Sequence, residues 1–434
     1  MIYMRKSVLL LAAFLIFATV VAGQTTTHDL HMQIHEQNMQ THTQLHDQHL
    51  TAHRQMSEQH QQLHNEAFDK FSKERQTRSD LGGVLLYRSG NQRLKLVEGN
   101  HPAARYTGRI LDNGDGSVSF DWSGTYLEVA FTGGYLAIRV SDTKKNYYNL
   151  FVNGKQQGVV TTFGKDSLIV IAKGLGKKQN IVRLQKRTEA EQGKTTIHAF
   201  ELAAKGDLVP YDPGRTRHIE FIGNSITAGF GTEGLSKDEP FKPETENCNL
   251  AFGAIISRYF NSDYTFIAHS GWGAARNYGD TARVSKTSMK DRMMQTFDMY
   301  PQPQWSFIGY TPDLVVINLG SNDFSTKPHP LKEEFMAAYD IIIKNIRTKY
   351  GNIPVLCVAP PLRGMAFEYI KEYCDNANDP KLFFTAYLAG VHNRDSDLGS
   401  VGHPNYNGQR KIAQNLIPYI STITGWPLEN KPVK

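Results

Sequence analysis

The hydrophobic pattern changes period twice along these 434 residues, so one kind of secondary structure cannot serve the whole chain. From about residue 82 to residue 211, apolar residues come in short alternating runs: V-S-F-D-W, Y-L-E-V-A-F, Y-L-A-I-R-V, Y-Y-N-L-F-V, S-L-I-V-I and N-I-V-R-L, separated by N-G-D-G, T-G-G and N-G-K. Period two between turn residues predicts an all-β sandwich, jelly-roll-like, over 81–211. P-Y-D-P-G at 210–214 reads as a linker. Beyond it the strands I-E-F-I (219), Y-T-F-I-A (264), L-V-V-I-N-L (314) and V-L-C-V-A (355) alternate with helical stretches such as 333–350 and 408–420. Strand and helix in repetition predict an α/β domain over 212–430, a doubly wound parallel sheet.

Two segments precede the sandwich. In 1–23, Arg5 and Lys6 stand before the apolar run 8–21, with Ala22 and Gly23 after it. That is the pattern of a cleaved signal peptide, too short to span a bilayer comfortably, and no cysteine follows it for lipid attachment. A periplasmic or secreted protein with no membrane span in its mature form is expected. Residues 24–80 repeat in elevens, HMQIHEQNMQT, HTQLHDQHLTA, HRQMSEQHQQL and HNEAFDKFSKE, beginning at His31, His42, His53 and His64. With no Pro or Gly this predicts a long helix written in hendecads, a stalk able to associate with copies of itself through 28–74. A solvated single helix competes with that reading. Metal capture by pairs such as His31/His35 is disfavoured, since two imidazoles leave a site unfinished.

Three cysteines, Cys248, Cys357 and Cys374, exclude a disulfide framework. Residues 81–211 hold 18 Lys and Arg against 11 Asp and Glu, but the charges are scattered and no basic run matches a nucleic-acid motif. Scattered solvated lysines explain this segment better than an acidic polysaccharide does.

The ends of the strands of an open α/β sheet are where ligands bind. Here they read F-I-G-N-S-I-T-A-G, H-S-G-W-G-A-A-R-N and L-G-S-N-D-F, and G-H-P-N-Y-N-G-Q precedes the last helix. These supply the parts of acyl transfer: Ser225 on a strand-to-helix turn as nucleophile, His403 as its base, and the N–H groups of Ser225 and Gly271 with the Asn322 amide as an oxyanion hole. The bland alternative is a tight turn, Gly223 and Asn224 at positive φ, with Ser225 or Thr227 capping the helix.

GNSITAG, SGWG, GSND and the late histidine resemble the four blocks of the SGNH (GDSL-like) hydrolases. The resemblance implies that Ser225, Gly271, Asn322 and His403 are the catalytic residues, and that no cofactor or metal is needed. F-K-P-E-T-E-N (241), S-G-W-G-A-A-R-N-Y (270), P-D-L-V-V-I-N-L-G-S-N-D-F (312) and the preceding sandwich are similar to carbohydrate esterase family 2, acetyl xylan esterase-like enzymes of plant cell-wall polysaccharides. The implied substrate is an acetylated polysaccharide or oligosaccharide.

One departure is chemical. Members of the superfamily usually carry Asp three residues before the histidine, and this chain has Ser400. Asp397, or Asp395, folding back onto His403 is one candidate orienter, and a backbone carbonyl, as in some family 2 esterases, is the other. G-F-G-T-E-G (229–234) has dinucleotide-loop spacing but stands too far beyond its strand. Trp272, Trp305 and Phe324 lie beside the blocks, where stacking on a sugar competes with a plain core role. The competing functions are a lipase, thioesterase or peptidoglycan esterase on the same fold, and an inactive carbohydrate-binding scaffold.

Overall fold

The computed structural model describes residues 85–89, 92–360, 364–386 and 394–434, with Gln40 and Gln44 before them. The signal peptide expected over 1–23 and, apart from those two glutamines, the hendecads of 24–80 lie outside the described residues.

Two antiparallel sheets build the first part. In one, Leu85–Ser89, Gln92–Glu98, Thr195–Ala203, Val118–Phe120 and Leu111–Asp112 lie in that order, and Leu136–Asp142 joins Thr195–Ala203 to Ser167–Ala172. In the other, Leu208–Val209, Tyr126–Phe131, Asn180–Lys186, Lys145–Val152 and Lys155–Phe163 follow one another, with Ala104–Thr107 also on Tyr126–Phe131. The core between them includes Phe120, Leu127, Val129, Phe131, Ile138, Val182, Ile197 and Phe200.

Tyr126–Phe131 alternates as a half-exposed strand should, yet all six of its residues are buried. Leu127, Val129 and Phe131 fill the sandwich, whereas Tyr126 packs into a core of the following domain. On that second face, Tyr126 donates its hydroxyl to Asp263, and Glu128 pairs with Arg105 and Arg215. Arg215 also bonds Asp263 at 2.5 Å, so the segment between the domains is pinned to both rather than slack.

The second part is a parallel sheet ordered Ser262–Ala268, Arg217–Gly223, Leu314–Asn318, Val355–Ala359, Leu382–Ala386. Alternate residues of each strand face opposite cores. Ile219, Phe221, Val316 and Leu356 meet helices Phe252–Tyr259 and Tyr406–Thr424, while Ile222, Ile317 and Cys357 meet Lys332–Tyr350 and Met365–Asn376. Burial on both faces explains the near-continuous apolar runs. The three cysteines are free. No helix of the described residues is long and apolar enough to cross a membrane.

Candidate active site

The chain starts this sheet in its second position, crosses to one edge, then returns past its starting strand. The order therefore reverses between Arg217–Gly223 and Leu314–Asn318, and the crevice beyond their carboxyl ends is where such sheets bind ligands. Gly223 is in register with Ala268 and Asn318, so three of the four sequence blocks emerge at one level.

Ser225 opens a single-turn helix, Ser225–Ala228. The cap is neither Ser225 nor Thr227: the Asn224 side chain accepts from the Ile226 N–H at 3.2 Å, from an extended backbone with φ −120°. Gly223 is not at positive φ either, and is required because a Cβ there would stand 2.0 Å from Thr227 Oγ1. The serine hydroxyl is thus released from structural duty, and it lies 2.8 Å from His403 Nε2.

The other imidazole nitrogen, Nδ1, is 3.2 Å from the Val401 carbonyl oxygen. A carbonyl only accepts, so Nδ1 carries the proton and Nε2 presents its lone pair to Ser225. Asp397 is placed elsewhere. Its carboxylate accepts from Lys411 Nζ at 2.6 Å, and Asp395 pairs with Lys237. Val401 reaches His403 through a left-handed conformation, φ 55° and ψ 35°, costly for a β-branched residue. Its N–H donates to Glu239 O at 2.9 Å, and that of Gly402 donates to Lys237 O at 2.9 Å, which anchors the turn.

The G-F-G-T-E-G stretch has a use in this turn. A Cβ on Gly234 would sit 2.3 Å from Ser400 N, and one on Gly231 would sit 2.8 Å from Ser400 Cβ. These glycines let the histidine-bearing turn approach the serine-bearing loop. Phe230, just before Gly231 in sequence, lies 4.4 Å from the His403 ring, and Phe241 stacks on Phe230 at 4.0 Å. Burial pulls the His403 pKa below its ordinary value, against the Val401 and Ser400 backbone, which favours the charged form.

Gly271 has φ +77°, a conformation open to glycine at little cost. Asn322 donates one Nδ2 hydrogen to the Trp272 carbonyl at 2.9 Å, which leaves the second for a ligand. Among the described residues, no acceptor takes the N–H of Ser225 or Gly271. Asp323, next to Asn322, accepts from the N–H groups of Ala274, Ala275 and Arg276 at 3.0, 2.7 and 2.9 Å, and so ties the third block to the second.

The aromatic candidates separate. Trp272 adjoins Gly271, but one side of its ring is covered by the Arg292 guanidinium, 3.5 Å from the centroid. Phe324 packs on Phe335 and Tyr369 as core wall. Trp305 is not brought to the crevice. It packs with Phe307 and Tyr310, and Tyr310 bonds His218, at the start of its strand. Among the described residues no group of His, Cys, Asp and Glu is placed to hold a metal ion.

Residues 106–211 match the carbohydrate esterase 2 N-terminal family, and residues 221–411 match the GDSL-like lipase/acylhydrolase family. The chain is 30% identical over 335 residues to the cellulase/esterase CelE of Acetivibrio thermocellus, a match covering 75% of this chain and 40% of CelE. The chain therefore spans less than half the length of that relative. It is 34% identical over 257 residues to an acetylxylan esterase/glucomannan deacetylase of Cellvibrio japonicus, covering 57% of this chain and 67% of the relative. The solved structure of a family two carbohydrate esterase from Clostridium thermocellum, in complex with cellohexaose, superposes with a TM-score of 0.69 at 30% identity, covering 75% of this chain and all of that one. With the two domains matched in order and a solved member covered from end to end, the chain belongs to family two of the carbohydrate esterases.

Proposed function

We propose that this protein is an exported serine esterase that removes O-acetyl groups from plant cell-wall polysaccharide, xylan or glucomannan, through an acetyl-enzyme on Ser225. The observation that carries the reading is the 2.8 Å approach of His403 Nε2 to Ser225 Oγ, with Nδ1 held by a carbonyl. In that tautomer His403 takes the hydroxyl proton as Ser225 attacks the acetyl carbon. Negative charge then develops on the carbonyl oxygen. The N–H groups of Ser225 and Gly271 and the free Nδ2 hydrogen of Asn322 receive it, each such donor being worth ~10²–10³ in rate. The imidazolium next protonates the departing sugar oxygen, and the acetyl-enzyme forms. Water, deprotonated by the same nitrogen, attacks the acetyl group, and collapse returns the proton to Ser225 with release of acetate.

The choice of substrate leans on the relatives: one is called an acetylxylan esterase/glucomannan deacetylase, and a solved one holds cellohexaose. Export leans on the pattern of residues 1–23. The test is acetate release from acetylated xylan and acetylated glucomannan by the wild type and Ser225→Ala, each with a thermal melt. Ser225→Ala is expected to lose at least ~10³-fold in kcat while melting normally, because its hydroxyl does not cap the helix. A folded Ser225→Ala that keeps most of its activity refutes the nucleophile. A wild type that cleaves long-chain esters and leaves both polysaccharides untouched refutes the substrate class.

A further inference from the structure

The loop that carries Gly271 is held from the other domain. Glu189, in the sandwich, is buried, and its carboxylate accepts two bonds from Ser270: one from the backbone N–H, and one from the hydroxyl at 2.5 Å. Glu189 is itself fixed. Its N–H donates to Glu246 at 3.3 Å, and its carbonyl accepts from the buried Lys186 ammonium at 2.8 Å. On the other side of Gly271, the Trp272 carbonyl accepts from Asn322 at 2.9 Å. Gly271 thus sits between two clamped neighbours. As a glycine at φ +77° it has no side chain of its own to fix it.

Burying a carboxylate is costly unless it is fully partnered, and a sandwich face has cheaper ways to meet a neighbour. Held by its N–H and its hydroxyl, Ser270 is fixed at the Cα from which the peptide plane carrying the Gly271 N–H starts. A displacement of 1 Å in such a group can cost ~10²-fold in rate. We propose that Glu189 is a positioning residue for the oxyanion site, so that the sandwich domain completes the hydrolase centre rather than merely preceding it. The proposal rests on the reading of Gly271 as an oxyanion donor.

The variants are Glu189→Ala, Glu189→Gln and Ser270→Ala in the full chain, with Ser225→Ala alongside. The readouts are kcat and KM on 4-nitrophenyl acetate, inhibition by methylboronic acid, which forms a tetrahedral adduct with an active serine, and thermal melting. Glu189→Ala is expected to lose ~10²-fold in kcat with KM within about twofold, and affinity for the boronate to fall in step. Glutamine can still accept from the Ser270 N–H and donate to its hydroxyl, so Glu189→Gln is expected to recover most of that loss. Ser270→Ala, which removes one of the two bonds, should fall between wild type and Glu189→Ala.

A purely structural staple would lower the melting temperature and leave kcat per folded molecule unchanged. That result in Glu189→Ala overturns the proposal, as does a rise in KM with kcat intact. If Glu189→Ala does not fold, Ser270→Ala decides: wild-type kcat and boronate affinity overturn the proposal, and a parallel loss in both upholds it. Activity surviving in Ser225→Ala would sink the functional reading. An inactive Ser225→Ala beside a fully active Ser270→Ala sinks only the role of Glu189.

Discussion

Replacing Asp397 by asparagine tests what holds the imidazole of His403. If Asp397 were the third member of a triad, its loss would impose the wrong tautomer and cost ~10⁴ in kcat, or about 5 kcal/mol of transition-state stabilisation. In the structure the cost falls on folding. The carboxylate lies 2.6 Å from Lys411 Nζ, and the side chains are 2% and 41% exposed respectively. Because Lys411 keeps access to water, losing the pair is worth about 1 kcal/mol, and the asparagine oxygen can still accept from the ammonium. Nδ1 of His403 keeps the Val401 carbonyl at 3.2 Å throughout. Asp397→Asn is therefore expected to retain kcat within about threefold on 4-nitrophenyl acetate and to melt ~2–4 °C lower. A loss of 10³-fold or more in a normally melting variant would refute the carbonyl-held dyad.

Three further outcomes follow from the same geometry. Val401→Asn should keep kcat within about threefold, since the carbonyl and not the side chain orients His403. It should raise stability by about 1 kcal/mol, as asparagine tolerates φ 55° better than valine and the valine side chain is 56% exposed. A kcat collapse in Val401→Asn would show that the side chain matters. The acid limb of kcat/KM should have its midpoint below the ordinary histidine value of about 6.5, because burial lowers the pKa of His403 and the base must be neutral. A midpoint above 7 would contradict that environment. His269 behaves in the opposite sense: burial pulls its pKa down, but the Asp298 carboxylate, with the hydrogen bonds to Asp298 and Glu191, overrides this and holds it at about 10. Its proton is bound more tightly folded than unfolded, so its stabilisation is complete below about pH 6.5 and lost as pH rises towards 10. The melting difference between wild type and His269→Gln should shrink across that window, and a constant difference would refute the assignment.

What was legible in the sequence divides along physical lines. Ser225, Gly271, Asn322 and His403 could be singled out as candidates because each is a residue type that acyl transfer requires, standing where a strand or turn ends. A backbone carbonyl could be named as one of two candidates for holding His403 Nδ1, but not which residue supplies it, because every residue has one. Its traces are the absence of an acid at Ser400 and the glycine at 402, which continues the left-handed turn begun by Val401. The strand Leu382–Ala386, only five residues long, carried too short a pattern to separate from its surroundings. Y-L-E-V-A-F announced a sheet with one wet face, and only the docked neighbour explains why both faces are dry.

Topology corrects the aromatic candidates. In a parallel sheet, residues just after a strand stand at the carboxyl edge, where the crevice lies, and residues just before one stand at the opposite edge. Trp272 follows Ser262–Ala268 and Phe324 follows Leu314–Asn318, whereas Trp305 precedes Leu314–Asn318 and accordingly packs near His218. Sequence order alone therefore excludes Trp305. The same rule cannot find Glu189 or Val401, which reach the site from another domain and from the turn before the last helix. A parallel sheet fixes where the reacting groups emerge. The groups that hold them come from whatever segment packs behind them, and those packing partners are set by the tertiary fold rather than by the local pattern of the chain.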